Sequence, residues 1–261
     1  MPEDPFVLLE VKNRIATLTM NRPQSRNSLG LSMLQALEKA LAEVAADPGV
    51  AVVVMAGAGP GFCAGHDLKE MRTRAFDHAY GEALFGLCGK VMQAIVAMPK
   101  PVIARVQGVA TAAGCQLVAT CDLAIAESGS RFATPGVNIG LFCSTPGVAL
   151  ARTLSPKHAM QLLLTGEMID APTALRIGLI NEIVAPAELE GRVAALAEKL
   201  AGKSAAVLAL GKRTFYAQAE MGLAAAYDFA GAAMADNLTL ADTAEGISAF
   251  LDKRPPAWRH G

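Results

Sequence analysis

The chain has 261 residues, of which 52% are hydrophobic and 18% are charged, which suits one large α/β domain or a domain with a helical appendage. Its formal net charge is −1, without a basic tract or an acidic tail, which argues against nucleic acid and an anionic membrane surface as partners. No apolar run reaches the ~18 residues that a membrane-spanning helix needs, so we expect no membrane partner.

The first elements are a hairpin and a helix. Residues 6–20, FVLLEVKNRIATLTM, predict two strands around a turn at 13–14. Residues 32–47, SMLQALEKALAEVAAD, have helical spacing, and Ser32 with Gln35 predicts a capping box at the start of this helix.

Strands and helices then alternate. The apolar, β-branched run at 50–57 predicts a strand buried on both faces, and 75–98 predicts a long helix. A second buried strand at 101–108, a helix at 112–120 and a strand at 121–128 follow. This alternation predicts parallel pairing through right-handed crossovers.

The last third of the sequence changes character. Residues 155–166, SPKHAMQLLLTG, have Pro just inside the start of a helix and Gly just past its end. Nearly everything from there to Phe250 is helical in pattern, apart from one short strand within LINEIV at 179–184. The Ala- and Met-rich faces of these helices are suited to packing on the core or against another subunit.

Targeting signals, disulfides and metal sites are not indicated. The N-terminal MPEDPFVLLE is acidic and resembles no signal peptide, so we expect a cytoplasmic protein. The five cysteines lack paired CxxC spacing, which favours reduced thiols: Cys63, Cys88, Cys115, Cys121 and Cys143. The histidines form no ligand-spaced cluster with them, so we expect neither a metal nor a resident cofactor: His66, His78, His158 and His260.

Two glycine-containing turns follow two of the buried strands, at 57–70 (GAGPGFCAGHDLKE) and 107–117 (QGVATAAGCQL). Both lie at the carboxyl ends of parallel strands, where ligands usually bind, and the second turn opens a helix whose N-terminus favours negative charge. Two backbone N–H groups converging there would stabilise a developing oxyanion. The alternative is that both are ordinary tight turns with packing glycines, since neither matches a dinucleotide or Walker pattern.

These turns and further stretches resemble the crotonase superfamily, the enoyl-CoA hydratase/isomerase group. The matching stretches run in order over almost the whole chain: NRPQSRNSL, GFCAGHDLKEM, PKPVIARVQGVATAAGCQLVATCDLAIA, FATPGVNIGL, LLLTGEMIDAPTALRIGLINEIV and GISAFLDKRPPAW. The sequences ATAAGCQLVA and NIGLFCSTPGVALAR resemble those of one particular subgroup of this family. The resemblance implies an α/β spiral of ββα units at 1–195, a C-terminal helical trimerisation region at 196–261, trimers or hexamers, and a coenzyme A thioester as substrate or ligand.

Catalytic positions carried over from the family fall on four residues. The backbone N–H groups of His66 and Ala113 match the oxyanion hole, and the His66 ring has the alternatives of a general base or a loop or CoA contact. The two glutamates that activate water and protonate the α-carbon fall on Gln116 and Gly136. An amide cannot accept a proton at neutral pH, so hydration of the usual kind is doubtful. Cys143 is either a nucleophile or a small thiol lining the pocket.

Coenzyme A contacts carried over in the same way fall on basic, aromatic and loop positions: Arg26, Ala64, Lys69, Phe250 and Lys253. The Ala64 carbonyl matches a position that faces the adenine, and Phe250 with Lys253 matches a pair that reaches the nucleotide from a neighbouring subunit. The alternative for each basic residue is a solvated surface charge.

Three hypotheses follow. The chain is an acyl-CoA enzyme, named by its family as an enoyl-CoA hydratase, which adds water to a 2-enoyl-CoA, or else a thioesterase or decarboxylase that uses only the oxyanion hole. The second hypothesis is a non-catalytic acyl-CoA-binding or regulatory protein that retained the pocket and lost the acids. The third, a structural assembly protein, predicts no binding of coenzyme A.

Overall fold

The computed structural model describes residues 4–259, in which short strands and helices alternate up to residue 188 and helices follow from there. The strands are β1 Val7–Lys12, β2 Ile15–Met20, β3 Val52–Gly57, β4 Val102–Val106, β5 Val109–Thr111, β6 Leu123–Glu127, β7 Arg131–Ala133, β8 Ile169–Asp170 and β9 Glu182–Val184. The helices are α1 Leu31–Ala46, α2 Leu68–Thr73, α3 His78–Ala97, α4 Ala113–Thr120, α5 Ser144–Thr153, α6 Pro156–Thr165, α7 Ala171–Arg176, α8 Leu189–Ala201, α9 Ala205–Gln218, α10 Leu223–Leu238 and α11 Ala241–Leu251.

A six-stranded sheet with the order β1-β2-β3-β4-β6-β9 forms the centre. Only β1 and β2 pair antiparallel, across the predicted turn at Asn13 and Arg14, and the other neighbours are parallel. The predicted parallel α/β pairing is confirmed. Because β3 and β4 run in the same direction, the loops that leave their carboxyl ends emerge at the same edge of the sheet.

The sheet is covered on both faces. Val53 and Met55 of β3 pack in the larger core with α1 and α3, whereas Val52 and Val54 pack in a second cluster beneath α8. Alternate side chains of a strand point to opposite faces, so every residue of β3 is buried. The prediction of a strand buried on both faces is confirmed.

A small sheet with the order β5-β7-β8 lies beside the central one, and the sequence did not predict it. Its strands have only two or three residues, too few to show a period of two. β5 pairs in parallel with β7 and connects β4 to α4, so it carries the chain from the central sheet to the helix where a site was expected.

The capping box predicted from Ser32 and Gln35 is wrong. Helix α1 begins at Leu31, and its N-cap is Gly30, which makes no side-chain cap. Because the helix begins at Leu31, Ser32 lies inside its first turn and cannot be the N-cap. By contrast, α6 has the predicted Pro156 inside its start and Gly166 just past its end, with Ser155 as N-cap.

A buried charged pair ties the C-terminal helices to the sheet. Asp122, which precedes β6, accepts hydrogen bonds from the Val102 N–H at 2.7 Å, from Lys212 Nζ at 2.7 Å and from the Tyr216 hydroxyl at 2.8 Å. Lys212 also donates to the carbonyls of Ile95 and Lys100. Asp122 therefore joins the sheet to α9.

The predicted boundary between residues 195 and 196 falls inside α8, whose buried face packs on the sheet. The trimerisation role given to 196–261 stays a prediction. Within the described range no helix is both long and apolar enough to cross a membrane.

Candidate active site

The two glycine-containing loops lie side by side, joined by a ladder of backbone hydrogen bonds. The Phe62 N–H donates to the Gln107 carbonyl at 2.8 Å, the Cys63 N–H to the Val109 carbonyl at 3.1 Å and the Thr111 N–H to the Cys63 carbonyl at 2.9 Å. The prediction that both loops meet at one edge of the sheet is therefore confirmed in geometry.

Two glycines allow this close approach. Gly65 has a φ of +93°, and a Cβ atom on it would lie 2.8 Å from Ala112 Cβ and 3.4 Å from the Ala113 nitrogen. A Cβ atom on Gly114 would collide with the Cys63 carbonyl oxygen. The glycines are therefore required by contact between the loops, which brings the segment ending in His66 against the start of α4.

The backbone N–H groups of His66 and Ala113 are available to a ligand. Leu29 pairs with both neighbours of His66, because its N–H donates to the Gly65 carbonyl and its carbonyl accepts from the Asp67 N–H. Among the described residues, neither the His66 nor the Ala113 N–H donates to a protein acceptor. Ala113 is also the first residue of α4, where free N–H groups and the helix dipole favour negative charge.

Ala112 holds the start of α4 in a strained conformation. Its φ of 50° and ψ of −118° lie in a region that residues with a Cβ atom rarely adopt. Its N–H donates to the Ala133 carbonyl at 2.8 Å, which fixes it against β7. Strain of this kind is concentrated at functional sites, where the surrounding structure maintains it.

The ring of His66 is largely buried. It packs edge-on against Phe85 of α3 with ring centroids 5.1 Å apart, and its Nε2 has no hydrogen-bond partner among the described residues. Burial lowers the pKa of His66 from 6.5 to about 4. The ring is therefore neutral at physiological pH, which leaves the backbone N–H as the group that this residue offers to a ligand.

Replacing His66 by Phe is expected to remove part of the acid sensitivity of the fold. Between pH 6.5 and 4 the unfolded chain binds a proton that the folded ring does not, so the free energy of unfolding falls as the pH is lowered through this range. The loss should approach about 3 kcal/mol at pH 4. Urea unfolding at pH 7, 5.5 and 4.5 should show a smaller decline for His66→Phe than for the wild type. His78→Gln, at an exposed position beside Glu82, is the control, and an unchanged decline for His66→Phe would contradict burial of the neutral ring.

Gln116 is the residue on which the resemblance places the first family glutamate. Its side chain is only 4% exposed, and its Oε1 is buried without a hydrogen-bond partner among the described residues. It lies three residues after Ala113 on α4, and residues at this spacing share one face of a helix. A buried amide oxygen can accept a hydrogen bond from a water molecule or a ligand, but it cannot take up a proton at neutral pH.

Gly136, on which the resemblance places the second family glutamate, has no room for a side chain. It lies in a 3-10 turn at Pro135–Ile139, and a Cβ atom on it would collide with the Leu141 carbonyl oxygen and lie 2.8 Å from Cys143 Sγ. The Leu141 N–H donates to the Gly136 carbonyl at 2.9 Å, which closes this loop on itself. The returning loop therefore fills the space that a side chain at residue 136 would need.

The Cys143 thiol stands in that space. Burial raises the pKa of the Cys143 thiol, although a backbone hydrogen bond from Gly136 opposes the rise. Burial also raises the pKa of neighbouring Cys115 to about 12. Since the thiolate is the nucleophile, this environment favours a small thiol that fills the pocket over a catalytic cysteine.

The positions expected to contact coenzyme A fall into two groups. Arg26 and Lys69 are exposed on the segments that flank the loop of His66, and the Ala64 N–H donates to the Arg26 carbonyl at 2.9 Å. Phe250 and Lys253 lie at the end of α11, where Phe250 is 82% exposed. The structure does not join the two groups within one chain, and the resemblance implied the second pair from a neighbouring subunit.

The sequence did not single out Thr111, whose hydroxyl donates to the Ala64 carbonyl at 3.0 Å across the two loops. The only feature of the sequence that could have indicated Thr111 is a polar residue between small apolar ones.

Among the described residues, no group of three or more His, Cys, Asp or Glu side chains is placed to hold a metal ion, and the described cysteines are free. His260 lies outside the described residues.

Comparisons with known proteins identify the family. The enoyl-CoA hydratase/isomerase sequence profile matches residues 10–261. A rat protein named "Enoyl-CoA hydratase domain-containing protein 3, mitochondrial" is 48% identical over 246 residues, which cover 94% of this chain and 82% of the relative. This similarity confirms the subgroup indicated by ATAAGCQLVA and NIGLFCSTPGVALAR.

Two solved structures agree over nearly the whole fold. The crystal structure of an enoyl-CoA hydratase from Mycobacterium smegmatis has a TM-score of 0.95 and 49% identity, and covers 98% of this chain and 99% of its own. That of human enoyl-coenzyme A hydratase domain-containing protein 3 has a TM-score of 0.93 and 46% identity, covering 97% and 100%. The predicted crotonase-type α/β fold with a C-terminal helical region is thereby confirmed.

The comparisons also correct one expectation. A cytoplasmic location was expected because the N-terminal residues resemble no signal peptide, but the rat, frog and human relatives are all named as mitochondrial. The cytoplasmic prediction is therefore wrong. On its sequence profile, its relatives and its fold, the chain belongs to the enoyl-CoA hydratase/isomerase family, the crotonase superfamily.

Proposed function

We propose that this protein binds acyl-CoA thioesters and polarises the thioester carbonyl with the N–H groups of His66 and Ala113. The observation that carries the proposal is the convergence of two loops in which both N–H groups lack a protein acceptor among residues 4–259. Donors fixed in advance stabilise the negative charge that develops on the carbonyl oxygen, and removing one such donor typically costs about 10²–10³ in rate.

The same site is poorly equipped to hydrate a double bond. Hydration needs one group to take a proton from water and another to deliver one to the α-carbon, and Gln116 and Gly136 supply neither. Each such group is worth roughly 10²–10⁴ in rate, so the loss of both lowers hydration by roughly 10⁴-fold or more. We therefore expect this chain to hydrate 2-enoyl-CoA slowly.

Reactions that depend mainly on an oxyanion or enolate remain open to it. Thioester hydrolysis and decarboxylation both pass through such a state, and polarisation by the two N–H groups assists each of them. The second candidate is a non-catalytic acyl-CoA-binding protein. The closed loop at Gly136 favours this candidate. The loop carries no acid at residue 136, and it also leaves no space there for an acidic side chain.

The test is the infrared spectrum of crotonoyl-CoA labelled with ¹³C at the thioester carbonyl and bound to the purified protein. We expect the carbonyl stretch to shift to lower frequency on binding, and the shift to diminish in Ala113→Pro, which deletes one N–H at the first position of α4. Ala205→Pro at the first position of α9 is the matched control. Failure of the wild type to bind, or binding without a shift, would refute the proposal.

For the nucleotide end of the ligand, we extend the proposal to Arg26, the Ala64 carbonyl and Lys69 of one subunit, with Phe250 and Lys253 of a neighbour. Arg26, Lys69 and Lys253 are exposed, as contacts to solvent-facing phosphates require. Mixed subunits provide the test. A Lys69→Glu chain and a Lys253→Glu chain, each weak in binding alone, should form a hetero-oligomer in which some sites are intact and bind coenzyme A.

Assembly into trimers or hexamers is part of this proposal. Helices α10 and α11 expose large apolar side chains that a monomer would leave in water: Leu223, Tyr227, Met234, Leu238, Phe250 and Leu251. Sedimentation at micromolar concentration should give three or six chains, and Tyr227→Glu should shift the distribution toward monomer. A wild type that sediments as a monomer would contradict it.

A further inference from the structure

Thr111 clamps together the two loops that carry the N–H donors. Its own N–H donates to the Cys63 carbonyl at 2.9 Å, and its hydroxyl donates to the Ala64 carbonyl at 3.0 Å. It is the last residue of β5 and stands two residues before Ala113. One residue on the second loop therefore holds two consecutive carbonyls of the first.

The hydroxyl bond is the last cross-link before the first donor. Backbone pairing between the loops ends at the Cys63 carbonyl, and beyond it the Thr111 hydroxyl alone joins the Ala64 peptide to the second loop by a hydrogen bond, among the described residues. The Ala64 N–H bonds in the opposite direction, to the Arg26 carbonyl. The Ala64 residue is thus held from both sides, and Gly65 and His66 continue from it.

We propose that Thr111 is a positioning residue whose hydroxyl sets the separation between the His66 and Ala113 N–H groups. This inference rests on the proposed function, since the separation matters only if both donors bind one carbonyl oxygen. Donors of this kind must be held to within about 0.5 Å of the productive geometry. Loss of the hydroxyl leaves the Ala64 carbonyl without its donor and allows the first loop to move relative to α4.

The test combines three variants with the ¹³C carbonyl spectrum of bound crotonoyl-CoA. Thr111→Val removes the hydroxyl and keeps the shape, whereas Thr111→Ser keeps the hydroxyl. Thr214→Val is the control, because its hydroxyl also donates to a backbone carbonyl, that of Leu210 at 2.8 Å, but in α9. We expect Thr111→Val to lose at least half of the carbonyl shift, and both Thr111→Ser and Thr214→Val to retain it.

A second readout separates positioning from folding. The melting temperature should remain within a few degrees of the wild type in each variant, because Thr111 is only partly buried. Should Thr111→Val fail to fold, Thr111→Ala tests the same bond. An undiminished carbonyl shift in either variant, or a loss that Thr111→Ser does not prevent, overturns the inference while leaving the proposed function intact. Absence of the shift in the wild type refutes both.

Discussion

Replacing Gly136 by Glu is expected to destabilise the protein without restoring hydration. The new Cβ atom would collide with the Leu141 carbonyl and press on Cys143 Sγ, and the loop is closed by the hydrogen bond between Leu141 and Gly136. Overpacking costs typically 1–3 kcal/mol, and a collision with backbone lies at the upper end, so we expect a loss of about 3 kcal/mol. Urea unfolding of the variant and the wild type measures it.

Gly191 in α8 provides a control for the Gly136→Glu substitution. A Cβ atom on Gly191 meets nothing within 4 Å, so Gly191→Glu should leave the free energy of unfolding unchanged or raise it by about 0.5–1 kcal/mol through better helix propensity. The double variant Gln116→Glu, Gly136→Glu carries both family acids. If it proves as stable as the wild type and hydrates crotonoyl-CoA rapidly, the space at Gly136 is not closed in solution.

Removing the Asp122 carboxylate is expected to have the largest effect on stability. Asp122→Ala leaves the Lys212 ammonium buried, since its side chain is only 7% exposed, and deprives the Val102 N–H and the Tyr216 hydroxyl of their acceptor. Burial lowers the pKa of Lys212, and Asp122 opposes that change. Breaking a buried ion pair by removing one partner typically costs about 3–5 kcal/mol. We expect a loss of this size by urea unfolding.

Two comparisons show whether this loss comes from the unpaired charge. Glu220→Ala breaks the exposed pair with Arg152, and such pairs contribute about 0–1 kcal/mol, so it should have little effect. The double variant Asp122→Ala, Lys212→Met removes both charges and should be more stable than Asp122→Ala alone. An additive loss in the double variant would show that Lys212 and Asp122 are not coupled.

The elements with strong periodicity could be predicted from the sequence. The hairpin of β1 and β2, the strand β3 and the helix α6 have either a clear hydrophobic pattern or Pro and Gly at their ends, and each was found within two residues of its predicted bounds. The small sheet could not be predicted, because its strands exist only through pairing between distant segments. The predicted cap of α1 failed because the helix begins at Leu31, which places Ser32 inside the first turn.

The candidate site was predictable in position and less so in geometry. The glycine turns and the resemblance located His66, Ala113, Gln116 and Gly136, but two features depend on contacts made in three dimensions. The His66 ring is neutral because Phe85 and other residues bury it, and the space at Gly136 is closed because the chain returns at Leu141.

Hydration of crotonoyl-CoA by the purified protein, followed as loss of the enoyl-thioester absorbance, tests the central claim most directly. We expect binding of the thioester with turnover roughly 10⁴-fold or more below that of a hydratase with both glutamates. Turnover within an order of magnitude of such an enzyme, abolished by Ala113→Pro, would contradict the claim, because an acid and a base other than residues 116 and 136 would then serve the site.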